Sequence, residues 1–366
     1  MCARETWRLL WPPWRSTWGL LAGCWWTTCG GNAGQGSAVR VASRFKVVVT
    51  DSVFPHLETE RRLLGAVGAE LVALQARQDE ELVEVVRDAD ALLVCFAPVT
   101  RRVVEAAARC RIIARYGIGV DNVDVATATA RGIVVTNVPD YCVEEVSDHT
   151  LALLLACARR VVWLDRAVRA GRWDAQDAVP IHRLSGQVLG LVGFGKIPRA
   201  VARKARALGL RVLAFDPYVE EAAVREFGAE AVTFRPLLER SDYVSVHAPL
   251  TPQTQGLLDE AAFRWMKPTA YLINTARGRI VDERALVDVL RAGRIAGAAL
   301  DVYEREPEVT PALKELPNVV LTPHIGSAAR DTREQIAHIV VDNILEFLAG
   351  RRPHYVANPE VLEGEG

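Results

Sequence analysis

The sequence predicts an α/β protein built on parallel β-sheets. Two observations carry that prediction. Between Lys46 and Thr136 short apolar segments alternate with segments of helical spacing, as strands joined by crossover helices do. Further on, Val188–Asp216 reads as an apolar strand, a glycine turn, a helix and a second apolar strand.

In chain order the first strand is Lys46–Thr50. A helix over 58–66, a strand at Leu71–Leu74, a helix at Glu80–Arg87 and a strand at Ala91–Cys95 follow. Then come a helix at Thr100–Ala108, a strand at Arg111–Arg115, a helix at Val123–Ala130 and a strand at Ile133–Thr136. This half has no phosphate-binding glycine turn of its own. Glu144–Arg172 predicts one long helix, or two joined. Its Leu151–Cys157 stretch is apolar on every side, and Val161-Val162-Trp163-Leu164 continues it. Such a helix is buried, either between domains or against a second subunit. Later strands are predicted at Tyr243–Val246, Ala270–Asn274, Gly297–Leu300 and Val319–Leu321, with helical spacing from Gly326 to Leu348. The polar residues from Arg351 onward are expected to wrap the surface.

The glycine turn is Gly193-Phe194-Gly195-Lys196-Ile197-Pro198. Glycines at 193 and 195 permit a tight turn and let backbone N–H groups at a helix N-terminus approach a pyrophosphate. Asp216 lies 21 residues beyond Gly195, where a carboxylate takes the hydroxyls of an adenosine ribose. Pro198 stands where the third fingerprint glycine would be. That glycine serves helix–strand packing, and proline is tolerated in a first helical turn. The stretch therefore predicts a dinucleotide site that prefers NAD.

Composition narrows the function classes. The chain has 366 residues, half of them hydrophobic, and a net charge of −1. That supports a large core and two domains, and gives no basic stripe for nucleic acid or an anionic membrane. Seven cysteines form no CxxC pair and no metal-ligand spacing, so no metal is expected. Cys95, Cys142 and Cys157 sit in apolar stretches as core residues do, which suits a reducing cytoplasm. No apolar run approaches the ~18 residues of a membrane span. Residues 1–44 hold six of the nine tryptophans among prolines and arginines, and lack the period of either helix or strand. They are expected to be a disordered extension or an artefact of an upstream start. Leu21-Ala22-Gly23-Cys24 imitates a lipoprotein box, but Arg15, Ser16 and Thr17 break the apolar run before it.

The chemistry-bearing residues follow predicted strands, where doubly wound sheets bind ligands. Arg277 comes after the 270–274 strand and can fork onto a carboxylate. Asp301 and Glu306 come after the 297–300 strand, and His324, on a short stiff connection, after the 319–321 strand. Among the other histidines, His247 is expected to shape the cofactor pocket, and His149 to be a satisfied core residue.

Several motifs in order then carry a resemblance: Arg115-Tyr116-Gly117-Ile118-Gly119-Val120-Asp121-Asn122-Val123-Asp124, Gly190 to Pro198, His247-Ala248-Pro249-Leu250-Thr251, Asn274-Thr275-Ala276-Arg277-Gly278, Ala299 to Pro307, and Pro323-His324-Ile325-Gly326-Ser327. Over residues 46–350 the chain resembles the D-isomer-specific 2-hydroxyacid dehydrogenases, the family of D-3-phosphoglycerate dehydrogenase and the C-terminal binding proteins. The resemblance implies two Rossmann-like doubly wound domains. A flavodoxin-like substrate domain would be assembled from 45–140 and 325–366, with an NAD-binding Rossmann domain, 141–324, inserted. It implies Arg277, Glu306 and His324 as the catalytic set. Cofactor contacts would come from Gly193, Gly195, Lys196, Ile197, Asp216, His247, Thr275, Ala276, Arg277, Asp301, His324 and Gly326. Substrate contacts would come from Tyr116, Gly117, Ile118 and Arg277. Ile118 replaces a threonine frequent in phosphoglycerate enzymes, and Asp140-Tyr141-Cys142-Val143-Glu144-Glu145 is closer to the C-terminal binding protein branch.

The expected reaction interconverts a D-2-hydroxyacid and its 2-keto acid. Arg277 would bind the carboxylate with backbone N–H groups around Gly117-Ile118, and His324 would move the proton, kept charged by Glu306. The rival is an NAD(H)-sensing corepressor-type module with little turnover. A short-chain dehydrogenase is excluded, because no tyrosine is followed four residues later by lysine. The expected partners are a small 2-hydroxy or 2-keto acid and a second copy of the chain, in a homodimer paired through the apolar 151–164 region.

Overall fold

The computed structural model describes residues 45–363 apart from Pro55 and Val179. The expectations for residues 1–44, including Cys2, Cys24 and Cys29, lie outside the described residues.

Two parallel sheets organise the chain. The first contains β1 (Lys46–Val49), β2 (Glu70–Ala73), β3 (Ala91–Val94), β4 (Ile112–Arg115) and β5 (Val134–Thr136), in the order β2-β1-β3-β4-β5. The second contains β6 (Val188–Val192), β7 (Arg211–Phe215), β8 (Glu230–Ala231), β9 (Tyr243–Val246), β10 (Tyr271–Asn274), β11 (Gly297–Leu300) and β12 (Val319–Leu321). Its order is β12-β11-β10-β9-β6-β7-β8. The first order is that of flavodoxin-like sheets, and the second is the Rossmann order extended by one strand. In each, strand order reverses beside the first strand, and a crevice opens there at the carboxyl ends.

Both sheets are covered on both faces, which is why β3, β4, β6, β9 and β11 are buried along their whole length. On the first sheet one face is closed by Leu82, Val86, Val103, Val104 and Ala128. The other is closed by Leu64 together with Ile336, Val340, Val341 and Ile344 of the Arg330–Leu348 helix. On the second sheet Leu153, Leu154 and Cys157 join Val201, Ala202 and Ala205 on one face. Leu237, Phe263, Leu286 and Leu290 cover the other.

Several elements differ from expectation. The 80–87 segment is helical only over Glu80–Val83, and turns follow. The 144–172 segment takes the second of its two expected forms, two helices, Val143–Ala158 and Val161–Arg169, separated where Arg160 adopts a left-handed φ of 53°. The final long helix starts at Arg330 rather than Gly326, because the intervening residues form the turn that carries His324. The tail does more than wrap the surface. Asn358 is fully buried: it accepts from Val135 N at 2.8 Å and donates to Ile133 O at 2.9 Å. Val356 also bridges Thr136, so the tail covers the open edge of β5.

Cys95, Cys110, Cys142 and Cys157 are free and buried, and burial pushes each thiol up to about 12. Among the described residues no helix is long and apolar enough to cross a membrane.

Candidate active site

The glycine turn lies at the end of β6. Gly193 has φ +96°, and a Cβ there would lie 2.8 Å from Ala248 N, so only glycine lets the chain pass this close to the His247-Ala248 loop. The turn is held from the end of β7: Asp216 Oδ2 accepts from Phe194 N at 2.8 Å, and Oδ1 from Tyr218 N at 2.9 Å. The Lys196–Ala207 helix starts directly after Gly195 and aims its first N–H groups at the crevice. Pro198 is the third residue of that helix and is buried. Its missing N–H would have no intrahelical acceptor in any case, so the helix seat is intact. The Lys196 ammonium pairs with Asp140.

Strand register brings three loops to one edge. Asn274 pairs with Leu300, and Leu300 with Leu321, so Thr275, Asp301 and Thr322 emerge side by side. Buried Asn274 shapes the first loop: its Oδ1 accepts from Ala276 N at 3.0 Å and its Nδ2 donates to Arg277 O at 2.9 Å. Thr275 Oγ1 meets Thr150 Oγ1 at 2.9 Å. In the third loop His324 has φ +53° and donates its backbone N–H to Asp301 O at 2.8 Å. The Asp301 carboxylate accepts from Thr322 Oγ1 (2.6 Å), Ile325 N (3.0 Å) and Gly326 N (2.8 Å). Burial works against its charge, but hydrogen bonds from His149 and Thr322 outweigh it and hold the carboxyl below its ordinary value. His324 Nδ1 lies 2.6 Å from Glu306 Oε2, and Glu306 Oε1 accepts from Tyr303 N at 3.0 Å.

The first sheet supplies the facing wall. Arg277 Nε donates to Asp121 Oδ1 at 3.0 Å, and a Cβ at Gly119 would lie 1.9 Å from Arg277 Nη2. The glycine leaves the space the guanidinium fills. Desolvation alone would raise the Asp121 carboxyl, but the Arg277 charge holds it below the usual carboxylate value. Arg115 is buried beside them, donates from Nη1 to Tyr116 O at 2.7 Å, and leaves its Nε without an acceptor. Burial, then the Arg277 charge, lowers its pKa. The Phe96 ring lies 4.8 Å from the His324 ring and 5.8 Å from the Arg115 guanidinium.

The family model for the D-isomer specific 2-hydroxyacid dehydrogenase NAD binding domain matches residues 151–326. A glyoxylate reductase of Korarchaeum cryptofilum is 45% identical over 289 residues, 77% of this chain and 86% of that protein. The chain belongs to the D-isomer specific 2-hydroxyacid dehydrogenases. A D-3-phosphoglycerate dehydrogenase of Methanocaldococcus jannaschii is 37% identical over 86% of this chain and 59% of its own length. Among solved structures, an NADPH-dependent glyoxylate/hydroxypyruvate reductase from Sinorhizobium meliloti in complex with NADP and malonate shares 34% identity, with a TM-score of 0.77. The match covers 86% of this chain and 97% of that one.

This dehydrogenase is therefore an NAD-dependent oxidoreductase of 2-hydroxyacids, and the enzyme reading stands over the corepressor one. The residues present fit the nucleotide: the Gly193 cradle, the helix N-terminus behind it and Asp216 at the end of β7 are all in place.

Two sequence readings need correction. The Tyr116 side chain does not face the site; it is buried, with its hydroxyl on Glu60 at 2.9 Å. The Gly117 N–H already donates to Arg115 O at 2.9 Å, so among the described residues the donors this loop keeps for a carboxylate are Ile118 N and Gly119 N. His149 is satisfied as expected, but by the site itself: its Nε2 lies 3.1 Å from Thr322 Oγ1 and 3.3 Å from Asp301 Oδ1. His247 is held by Ser245 Oγ at 2.9 Å, and desolvation pushes its pKa down to about 3, so the ring is neutral.

Asp121, Phe96 and Glu283 were missed as site residues. Buried Glu283 accepts from Glu304 N at 2.6 Å and Thr310 Oγ1 at 2.5 Å, and so braces the loop that presents Glu306. Asp121 stood inside a quoted motif. Glu283 gave no local signal.

Proposed function

We propose that this dehydrogenase reduces a small 2-keto acid of the glyoxylate or hydroxypyruvate type, with NADH as the preferred donor. The contact that carries the reading is His324 Nδ1 to Glu306 Oε2 at 2.6 Å, with Arg277 on the facing loop. Arg277 forks onto the substrate carboxylate and polarises the keto oxygen, aided by Ile118 N and Gly119 N. NADH, when bound, supplies the hydride for C2. His324 donates its proton to the developing alkoxide, and Glu306 stabilises the imidazolium that gives it. In the oxidising direction the deprotonated pair is the base.

The cofactor is held by Gly193, Gly195, Lys196 and Ile197 at the pyrophosphate and by Asp216 at the ribose. Around the nicotinamide stand His247, Thr275, Ala276, Arg277, Asp301, His324 and Gly326, with Asp301 acting by fixing the 324–326 turn. In this reading residues 45–140 and 325–366 form the substrate domain and 141–324 the nucleotide domain. The protein works as a homodimer in the cytoplasm.

Phe96, packed on the His324 ring, favours a substrate with a small side chain. Buried Arg115 favours a second reading, a phosphorylated 2-keto acid whose extra charge it would meet. A panel of glyoxylate, hydroxypyruvate, pyruvate and 3-phosphohydroxypyruvate with NADH tests both. Fastest turnover of 3-phosphohydroxypyruvate selects the second, and no turnover of any member refutes the reaction.

A further inference from the structure

Glu60 has no solvent exposure, and the reduction described above does not use it. Two donors from distant parts of the chain converge on this carboxylate. The Tyr116 hydroxyl donates to Oε1 at 2.9 Å, and Arg333 Nη2 donates to Oε1 and Oε2 at 2.9 and 3.0 Å. Arg333 Nη2 also reaches His56 O at 3.0 Å. Its guanidinium lies 4.1 Å from the centre of the Phe54 ring, which meets the Tyr116 ring edge-on at 5.7 Å. Arg333 Nε and Nη1 are covered and have no acceptor among the described residues. The Phe54 face offsets part of that lost hydration. A buried ion pair with unmet donors is a weak device for stability alone.

The two donors lie on separate elements packed against the first sheet, and each adjoins a different part of the site. Tyr116 directly precedes Gly117-Ile118-Gly119, the loop against Arg277. Arg333 is in the first turn of the Arg330–Leu348 helix, which follows the His324 turn. Burial and the neighbouring carboxylate raise the Tyr116 phenol well above its ordinary value, so it remains a donor. We propose that Glu60 is a positioning residue that, through Tyr116 and Arg333, holds the 117–119 loop in register with the turn carrying His324. The proposal rests on the catalytic reading given above. It locates substrate alignment in a cluster that touches neither substrate nor cofactor.

Tyr116→Phe removes one hydroxyl and leaves the aromatic packing. It is expected to raise KM for the keto acid about tenfold and to lower Tm by a few degrees, with KM for NADH little changed. Glu60→Gln, which keeps an acceptor oxygen for Tyr116, should restore most of the affinity that Glu60→Ala loses. The double variant Glu60→Ala/Tyr116→Phe should be no worse than the single Glu60→Ala, because both remove one coupling. Oxamate titrated onto the NADH complex reads the same loop without turnover and should weaken in parallel. If Tyr116→Phe lowers Tm but leaves the keto-acid KM and oxamate affinity unchanged, the cluster is a stability element only and the proposal fails. A wild-type protein that binds oxamate but reduces no keto acid would instead fault the catalytic reading, and the variants' oxamate affinities would still decide on Glu60.

Discussion

Glu306 Oε2 and His324 Nδ1 lie 2.6 Å apart on loops from different strands, which leaves His324 Nε2 as the ring nitrogen that can face a substrate. A carboxylate in this place stabilises the imidazolium and fixes the ring's orientation at once. Glu306→Gln keeps a hydrogen-bonding oxygen and removes the charge. It should lower kcat for keto-acid reduction by about 100-fold with a much smaller change in KM. Steady-state kinetics at saturating NADH measures both, and an unchanged kcat would remove Glu306 from the mechanism.

Arg277 reaches Asp121 through Nε and Ala276 O through Nη1, so Nη2 and the second N–H of Nη1 remain for substrate. Arg277→Lys preserves charge but loses the fork. The expected result is a rise in keto-acid KM of at least about tenfold, with NADH affinity changed much less. Asp121→Asn should reproduce part of this, since it frees the guanidinium to rotate. If Arg277→Lys raised only the NADH KM, the arginine would belong to the cofactor.

How far the sequence disclosed this site depended on locality. Arg277, Asp301 and His324 were legible because each directly follows an apolar strand, and parallel register then obliges the three loops to share one edge. Gly193, Gly195 and Asp216 were legible because one βαβ unit sets their spacing. Arg277 with Asp121, 156 positions apart, was not, and neither was His149 with Asp301. Those pairs exist only once two sheets and a helix have packed, and no short-range period encodes them. Two joined helices were among the readings, but the place of the break, Arg160, was not legible, for a different reason. A left-handed arginine has no composition signal, since glycine or asparagine is the residue expected there.

Asp216 uses both carboxylate oxygens on backbone N–H groups, which fixes the carboxylate at the end of β7, the ribose site proposed above. A 2′-phosphate would meet that charge, and neighbouring Pro217 and Tyr218 supply no cation to receive it. The wild type should therefore prefer NADH over NADPH by well over tenfold in kcat/KM. Asp216→Ser should narrow the ratio mainly by improving NADPH use. Equal use of both donors by the unmodified enzyme would contradict this assignment, and the NADPH-dependent Sinorhizobium relative makes the comparison informative.

His247, held by Ser245, makes stability depend on acid pH. Its folded pKa, about 3, lies below the ~6.5 of an unfolded histidine. Between those values the unfolded chain binds a proton that the folded chain does not, so stability falls as pH drops from about 6.5 towards 3. One such proton corresponds to about 1.4 kcal/mol per pH unit. His247→Asn should flatten this dependence while losing some stability at pH 8, where the contact with Ser245 is intact in the wild type. Urea midpoints at pH 5 and pH 8 test it, and identical pH slopes for the two proteins would refute it.

The Val161–Arg169 helix bears on assembly. The preceding Val143–Ala158 helix buries Leu153, Leu154 and Cys157 against the second sheet, so its apolar content is met within one subunit. The second helix differs: Val161 and Val168 are 55% and 52% exposed, and Trp173 just beyond it is 90% exposed. Three large apolar side chains in one short region form a patch that a two-fold partner would cover. We therefore expect a homodimer whose interface includes these residues, with the 151–158 stretch as its support rather than its surface. Val161→Glu combined with Val168→Glu places charges on the patch without touching the core. In sedimentation at micromolar concentration the wild type should run as a dimer and the double variant as a folded monomer. A wild type at monomer mass would end the dimer proposal, and a double variant that stays dimeric would move the interface elsewhere.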